Sequence, residues 1–156
     1  MNAILNIREM QPADATVAAA LANELGYAIT AELFAERFAT LSHDANAVND
    51  CTARRLFVAE HETLGVIGWV YVYSMQPLLT DRYAEIGGLV VATRARRIGA
   101  GAALMRAAEA WASEQGYSAM RLRSGLHRPE AHLFYVKIGY EKARESTQFR
   151  KVLRAP

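Results

Sequence analysis

The chain has 156 residues, 52% of them hydrophobic and 22% charged, with a net charge of +2. These values fit one globular domain over residues 1–156, long enough to bury a core, and argue against a disordered chain. So mild a charge also argues against a nucleic-acid binder, which would carry a basic face or stripe. The single cysteine, Cys51, allows no intrachain disulfide and fits a reducing, cytoplasmic compartment. The N-terminus has no basic segment leading into a long apolar one, so no signal peptide is expected. No apolar run approaches ~20 residues, so no membrane span is expected.

In chain order, "AILNIREM" alternates as a first strand. "PADATVAAALANELG" reads as a helix, with Pro12 near its start and Gly26 at its end. "TAELFAERFATLSH" reads as a second helix, capped by Thr30, with Leu33, Phe34, Phe38 and Leu41 at helical spacing. "DANAVNDC" is a loop. "ARRLFVAEHE" and "GVIGWVYVYSM" form two strands of a hairpin across "ETLG". "QPLLTDR" is a loop and "YAEIGGLVV" a strand, whose Gly87-Gly88 pair suggests a bulge or a close approach by another backbone. A helix runs from about Gly99 to Gln115, followed by a strand in "YSAMRLRSG" and a helix in "PEAHLFYVKIG". "YEKARESTQFRKVL" closes the chain as one or two strands. The order gives an α/β (α+β) fold, with a right-handed parallel crossover from Ile86 to Ser124.

Arg94, Arg96 and Arg97 crowd ahead of Gly99 and Gly101, where the strand turns into a helix. The first amides of a helix lack internal partners and sit at the positive end of its dipole, so anions bind there. The glycines leave room for a phosphate, and the arginines add charge and paired donors. The turn is not a P-loop, since no Gly-Lys-Ser/Thr occurs. Nor is it a dinucleotide fingerprint, since the third glycine would fall at Leu104. It matches R-x-x-G-x-G through Arg96, Gly99 and Gly101.

With that turn after a bulged strand, and two helices after the first strand, the sequence resembles the GNAT superfamily of acetyl-CoA-dependent N-acyltransferases over most of its length. The resemblance implies a mixed sheet of about six to seven strands with a V-shaped splay, flanked by four helices. It implies that Arg96, Arg97, Ile98, Gly99, Ala100, Gly101 and Ala102 cradle the coenzyme A pyrophosphate, mainly through backbone amides. It implies that the strand at Leu89, Val90 and Val91 holds the pantetheine arm and the acetyl carbonyl. Glu85 matches the general base used by some members; the plainer reading of it is a strand glutamate facing solvent or paired with an arginine. Tyr135, in "FYVKIGY", matches the tyrosine beside the coenzyme sulfur, proposed as general acid; a phenol with pKa near ~10 is protonated at neutral pH. Arg128 stands where many relatives carry an asparagine against the pantetheine arm, and is read as reaching a coenzyme phosphate or lying exposed. Tyr27 falls in the connection bordering the acceptor pocket.

The other chemistry-bearing residues are read as structural. His132 is read as structural and His127 as a loop residue open to the pocket, with His43 and His61 at the surface. No metal-ligand spacing occurs, so no metal is expected. Trp69, Tyr71 and Tyr73 share one face and are read as core rather than a cation cage. Cys51 lies away from the motifs and is no nucleophile. The reading is a direct N-acetyltransferase acting on a small-molecule or peptide amine through a ternary complex, with acetyl-CoA as cosubstrate and a homodimer left open. "RPEAHLFYVKIGY" is similar to members likened to aminoglycoside 6'-acetyltransferases, which names no substrate. The rivals are a non-catalytic acyl-CoA sensor on the same fold and an ATP-binding regulator.

Overall fold

A computed structural model describes residues 4–42 and 52–154. His43, the loop read at 44–51 and its Cys51 lie outside the described residues. Residues up to Arg123 form one compact unit and those from Ser124 onward a second.

The first unit holds β1 (Leu5–Glu9), a 3-10 turn (Pro12–Asp14), α1 (Ala15–Glu24), α2 (Ala31–Ser42), β2 (Arg54–His61), β3 (Gly65–Met75), β4 (Tyr83–Val91), a second 3-10 turn (Thr93–Ala95), α3 (Ala100–Glu114) and β5 (Met120–Leu122). Strands β1 to β4 form an antiparallel meander, and β5 joins β4 in parallel after the α3 crossover. The second unit holds α4 (Pro129–Lys137). The mixed sheet and four helices are the expected fold, with five strands among the described residues rather than six or seven. The closing segment is the difference. Residues 140–154 adopt no regular element, and residues 141–154 are exposed throughout. Phe149 is 91% and Leu153 85% exposed, so the segment buries no apolar face, and burial is what favours a strand.

The helix ends follow the residues. Leu33 N–H donates to Thr30 Oγ1 at 3.1 Å, the expected cap of α2. Helices α1, α3 and α4 end alike, at Gly26, Gly116 and Gly139 with φ of 90°, 82° and 100°. After each glycine the next amide (Tyr27, Tyr117 or Tyr140) bonds back to the carbonyl of Ala22, Ala112 or Tyr135. The left-handed glycine lets the chain turn back and cover the last carbonyls. Among the described residues no helix is long and apolar enough to cross a membrane.

The sheet is covered on both faces. Register places Trp69, Tyr71, Tyr73 and Glu85 on one face and Val70, Val72 and Ser74 on the other. Trp69 Nε1–H donates to Ala18 O at 3.1 Å and packs edge-on against Phe34, so α1 and α2 cover the first face. The Leu104 side chain lies against Gly68 on the second face, which α3 covers. There Val70 and Val72 are fully buried, and Tyr117 donates to the Ser74 hydroxyl at 2.6 Å.

Candidate active site

The site is built along β4. Its ladder with β3 pairs Val72 with Ile86 and Tyr71 with Gly88, leaving Gly87 as an extra residue. This is the bulge expected from the paired glycines. It changes which amides face outward. Before it, Ala84 N–H donates to Ala119 O on the β5 side. After it, Ala92 N–H donates to Ile67 O on the β3 side. Backbone groups alternate along a strand. Ile86 therefore faces β5, Gly88 and Val90 face β3, and Leu89 and Val91 turn their N–H and C=O groups away from β3. Strand β5 pairs with β4 only from Ala84 to Ile86. From Gly87 on, β4 has no strand partner on that edge among the described residues. Leu89 and Val91 are half-buried and Val90 is buried.

Glu85 lies at the start of this splay with 6% exposure. Its Oε1 lies 3.5 Å from Arg123 Nε, with side-chain exposures of 8% and 81% for the acid and the guanidinium. Tyr73 stands opposite it in the ladder. Burial first, and then the Glu85 charge, hold the Tyr73 phenol above its ordinary range. Burial also raises the Tyr71 phenol, opposed by the Arg54 guanidinium beside it. The two rings stack with centroids 5.2 Å apart over Gly87, where a Cβ would come within 2.7 Å of Tyr71 Cδ1 and 2.8 Å of Tyr73 Cε1.

The other end of β4 leads into the arginine–glycine turn. Arg96, Arg97, Ile98 and Gly99 are exposed. Arg97 adopts φ 70° and Gly99 φ 87°. A left-handed arginine is uncommon, and left-handed residues ahead of a helix turn successive amides to one side. Gly99 is the N-cap of α3 and supplies no side-chain cap, and the first turn carries no acid. Ala103 N–H donates to Gly99 O at 3.0 Å, closing the first turn of α3. The amides of Ala100, Gly101 and Ala102 precede it, as the unpartnered donors of a helix start. The residues present therefore fit a phosphate. Glu85 and Val91 are six residues apart, about 20 Å along a strand, so a ligand touching both ends must be elongated.

Sequence reasoning missed two contacts. Arg123 reaches Glu85 because the parallel register sets Glu85 beside Arg121, two residues before it. Glu24, at the end of α1, receives the Thr93 amide and lies near Arg94. Tyr27 sits just past α1 and is 58% exposed.

In the second unit, Arg128 is the half-buried N-cap of α4, with Pro129 at its first position. Tyr135 is half-buried on α4, flanked by Phe134 and Tyr140 at ring-centroid distances of 5.2 and 6.1 Å. His132 Nε2 lies 2.9 Å from Gly125 O, in keeping with a structural role.

A family model described as "Acetyltransferase (GNAT) family" matches residues 23–140. No curated protein matches the chain. Among solved structures, an aminoglycoside N-acetyltransferase, AAC(6')-Iy in complex with CoA, superposes with a TM-score of 0.82 at 15% identity, covering 97% of each chain. The aminoglycoside 6'-N-acetyltransferase AAC(6')-Ih of Acinetobacter baumannii gives 0.77 at 17% identity, covering 96% of this chain and 99% of its own. Glucosamine-6-phosphate N-acetyltransferase of Arabidopsis thaliana gives 0.74 at 20% identity, covering 97% of this chain and 99% of its own. At such identities these likenesses establish the fold.

Proposed function

The chain belongs to the GNAT acetyltransferase family and is an acyltransferase, and from that premise we propose that residues 1–156 form one N-acetyltransferase domain carrying acetyl from acetyl-CoA directly to a primary amine. The observation that carries this reading is the β4 edge. A buried carboxylate at one end and a set of unpartnered helix amides at the other are joined by a strand with outward-facing backbone groups.

Acetyl-CoA, when bound, supplies the thioester acetyl group. The amides of Gly99 to Ala102 hold its phosphates, with Arg96 and Arg97 at the rim. Leu89 and Val91 offer backbone groups to the amide-bearing arm, and one N–H there is aimed at the acetyl oxygen as negative charge develops on it. Glu85 accepts a proton from the incoming ammonium, directly or through one water. The freed nitrogen lone pair forms the new C–N bond as the C–S pair leaves with sulfur. Tyr135 gives its hydroxyl proton to that sulfur and regains one from solvent. The second nitrogen proton is lost to solvent, so each turnover releases one proton overall. Tyr27 borders the acceptor in this reading, and Arg128 replaces an amide contact with a charged one. The site is assigned to a cytoplasmic enzyme. The rival reading as an acyl-CoA sensor is tested by the measurement below, and a homodimer by sedimentation of the full chain.

The test is thiol release from acetyl-CoA across aminoglycosides, amino acids, polyamines, aryl amines and lysine peptides. Amine-dependent release is expected. Coenzyme binding without release for any amine would turn the reading to the sensor.

A further inference from the structure

The surroundings of Glu85 narrow the choice of acceptor. We infer that the acceptor is an α-amino acid with an apolar side chain, bound as its zwitterion with the ammonium on Glu85 and the carboxylate on Arg123. This rests on acetyl transfer taking place at Glu85.

Three observations lead there. The first is the ion pair itself. The carboxylate is nearly closed off from solvent, and the guanidinium 3.5 Å from it is mostly exposed. An ammonium approaching Glu85 therefore meets a like charge, which a simple alkylamine has no means to offset. An α-amino acid does. Its nitrogen and carboxylate oxygens are roughly 3 Å apart by standard bond lengths. Laid head-to-tail on the pair, each of its charges faces the opposite one. Guanidinium also holds a carboxylate through paired donors.

The second is the charge of this face. Arg54 lies beside the Tyr71 hydroxyl on the same face as Glu85. Arg121 stacks on the Tyr83 ring at 4.0 Å, and the cleft it lines also holds Asp81. With Arg82 of the same cleft, four arginines (Arg54, Arg82, Arg121 and Arg123) thus stand against two carboxylates, Glu85 and Asp81. A polycation finds little there to bind, whereas an anion-bearing amine finds a partner.

The third is the wall beside the pair. Tyr71 and Tyr73 stack on each other and turn ring-edge carbons toward Gly87, which is exposed and has no side chain to cover them. Both phenols are held in their neutral form, so the wall carries no charge. A leucine, methionine or phenylalanine side chain lies on such a surface with its apolar area buried.

The test compares L-phenylalanine, L-phenylalaninamide, phenethylamine and an aminoglycoside as acceptors for the full chain at saturating acetyl-CoA. The amide and phenethylamine keep the amine and ring but lack the carboxylate. The expected kcat/KM for phenylalanine exceeds that of both by about tenfold or more, the size of one charge-assisted hydrogen bond. Arg123→Gln lowers kcat/KM for phenylalanine by about tenfold, chiefly through KM, and brings its ratio to the amide toward one. Calorimetric binding of N-acetyl-L-phenylalanine with coenzyme A present reads the same contact without turnover and weakens by a similar factor. Equal use of the amide, preference for the aminoglycoside, or an unchanged ratio in Arg123→Gln overturns the inference while leaving acetyl transfer standing. No thiol release with any amine overturns acetyl transfer and this inference together.

Discussion

The Glu24 carboxylate at the end of α1 accepts a hydrogen bond from the Thr93 backbone amide at 3.1 Å, across 69 residues of chain. Its other oxygen lies 3.9 Å from Arg94 Nη1. The carboxylate therefore ties down the entry to a turn that then carries a left-handed arginine. Glu24→Ala should raise KM for acetyl-CoA roughly threefold to tenfold, an amide–carboxylate bond discounted for its exposure. The change in kcat should be small. Steady-state kinetics with acetyl-CoA varied checks this, and an unmoved KM would mean the turn holds its own shape.

Glu85→Gln keeps the size of the side chain and removes the proton acceptor. Under the proposed mechanism kcat should fall by about 10²–10⁴-fold, with coenzyme affinity kept. Tyr135→Phe should lower kcat by roughly 10²-fold or less. Single-turnover rates and coenzyme titrations separate these effects. A variant that turns over at the parent rate removes its residue from the proton path.

Gly87→Ala adds a Cβ that would come within 2.7 Å of the Tyr71 ring and 2.8 Å of the Tyr73 ring. Rigid rings flanking a strand cannot yield as a flexible chain end does. Overpacking of this kind costs typically 1–3 kcal/mol, so the urea midpoint should fall accordingly. A midpoint equal to the parent's would show that the stacked pair shifts without cost.

Asp14 accepts from Arg8 Nη1 and Nη2 at 2.8 and 3.0 Å and from the Gln11 amide at 2.7 Å. The Arg8 hydrogen bonds, more than any other contact, hold its carboxyl below the ordinary aspartate value of 3.8, against the opposing effect of burial. Stabilisation from Asp14 is therefore full above about 3.8 and is lost as pH falls through the lower folded value. Asp14→Asn should cost about 2 kcal/mol at neutral pH, the size of a charge-assisted contact, and lower Tm by about 4–8 °C. The gap should narrow in melts at progressively lower pH. A gap of constant size would place the effect in packing rather than charge.

Much of this was legible because it is local. Gly87-Gly88 announced the bulge, Thr30 the cap, and Gly26, Gly116 and Gly139 the helix ends, since each depends on a few neighbouring residues. The arginine–glycine turn was legible for the same reason. What escaped depends on register. Arg123 meets Glu85 only after a parallel pairing that no hairpin fixes in advance, and Glu24 meets Thr93 only after the chain has crossed the sheet. The stripe of Trp69, Tyr71 and Tyr73 divided: Trp69 packs as core against Phe34, while the two tyrosines flank the bulge. Residues 140–154 carry few large apolar side chains, and Phe149, Val152 and Leu153 among them stay exposed, so nothing local fixes a strand there.

The bulge makes β4 a strand with two reading frames. Deleting Gly87 would scarcely alter the hydrophobicity or charge of the chain. It would close the ladder, setting the Tyr71–Gly88 pair directly after Val72–Ile86, and every later residue would keep its place, with Gly88 and Val90 facing β3 and Leu89 and Val91 turned away. The side chains would keep their faces and Val90 its place in the core, while the local bend and added twist of the bulge would be lost. Gly87 therefore sets the course of the strand rather than its register, on which the residues either side of it already agree.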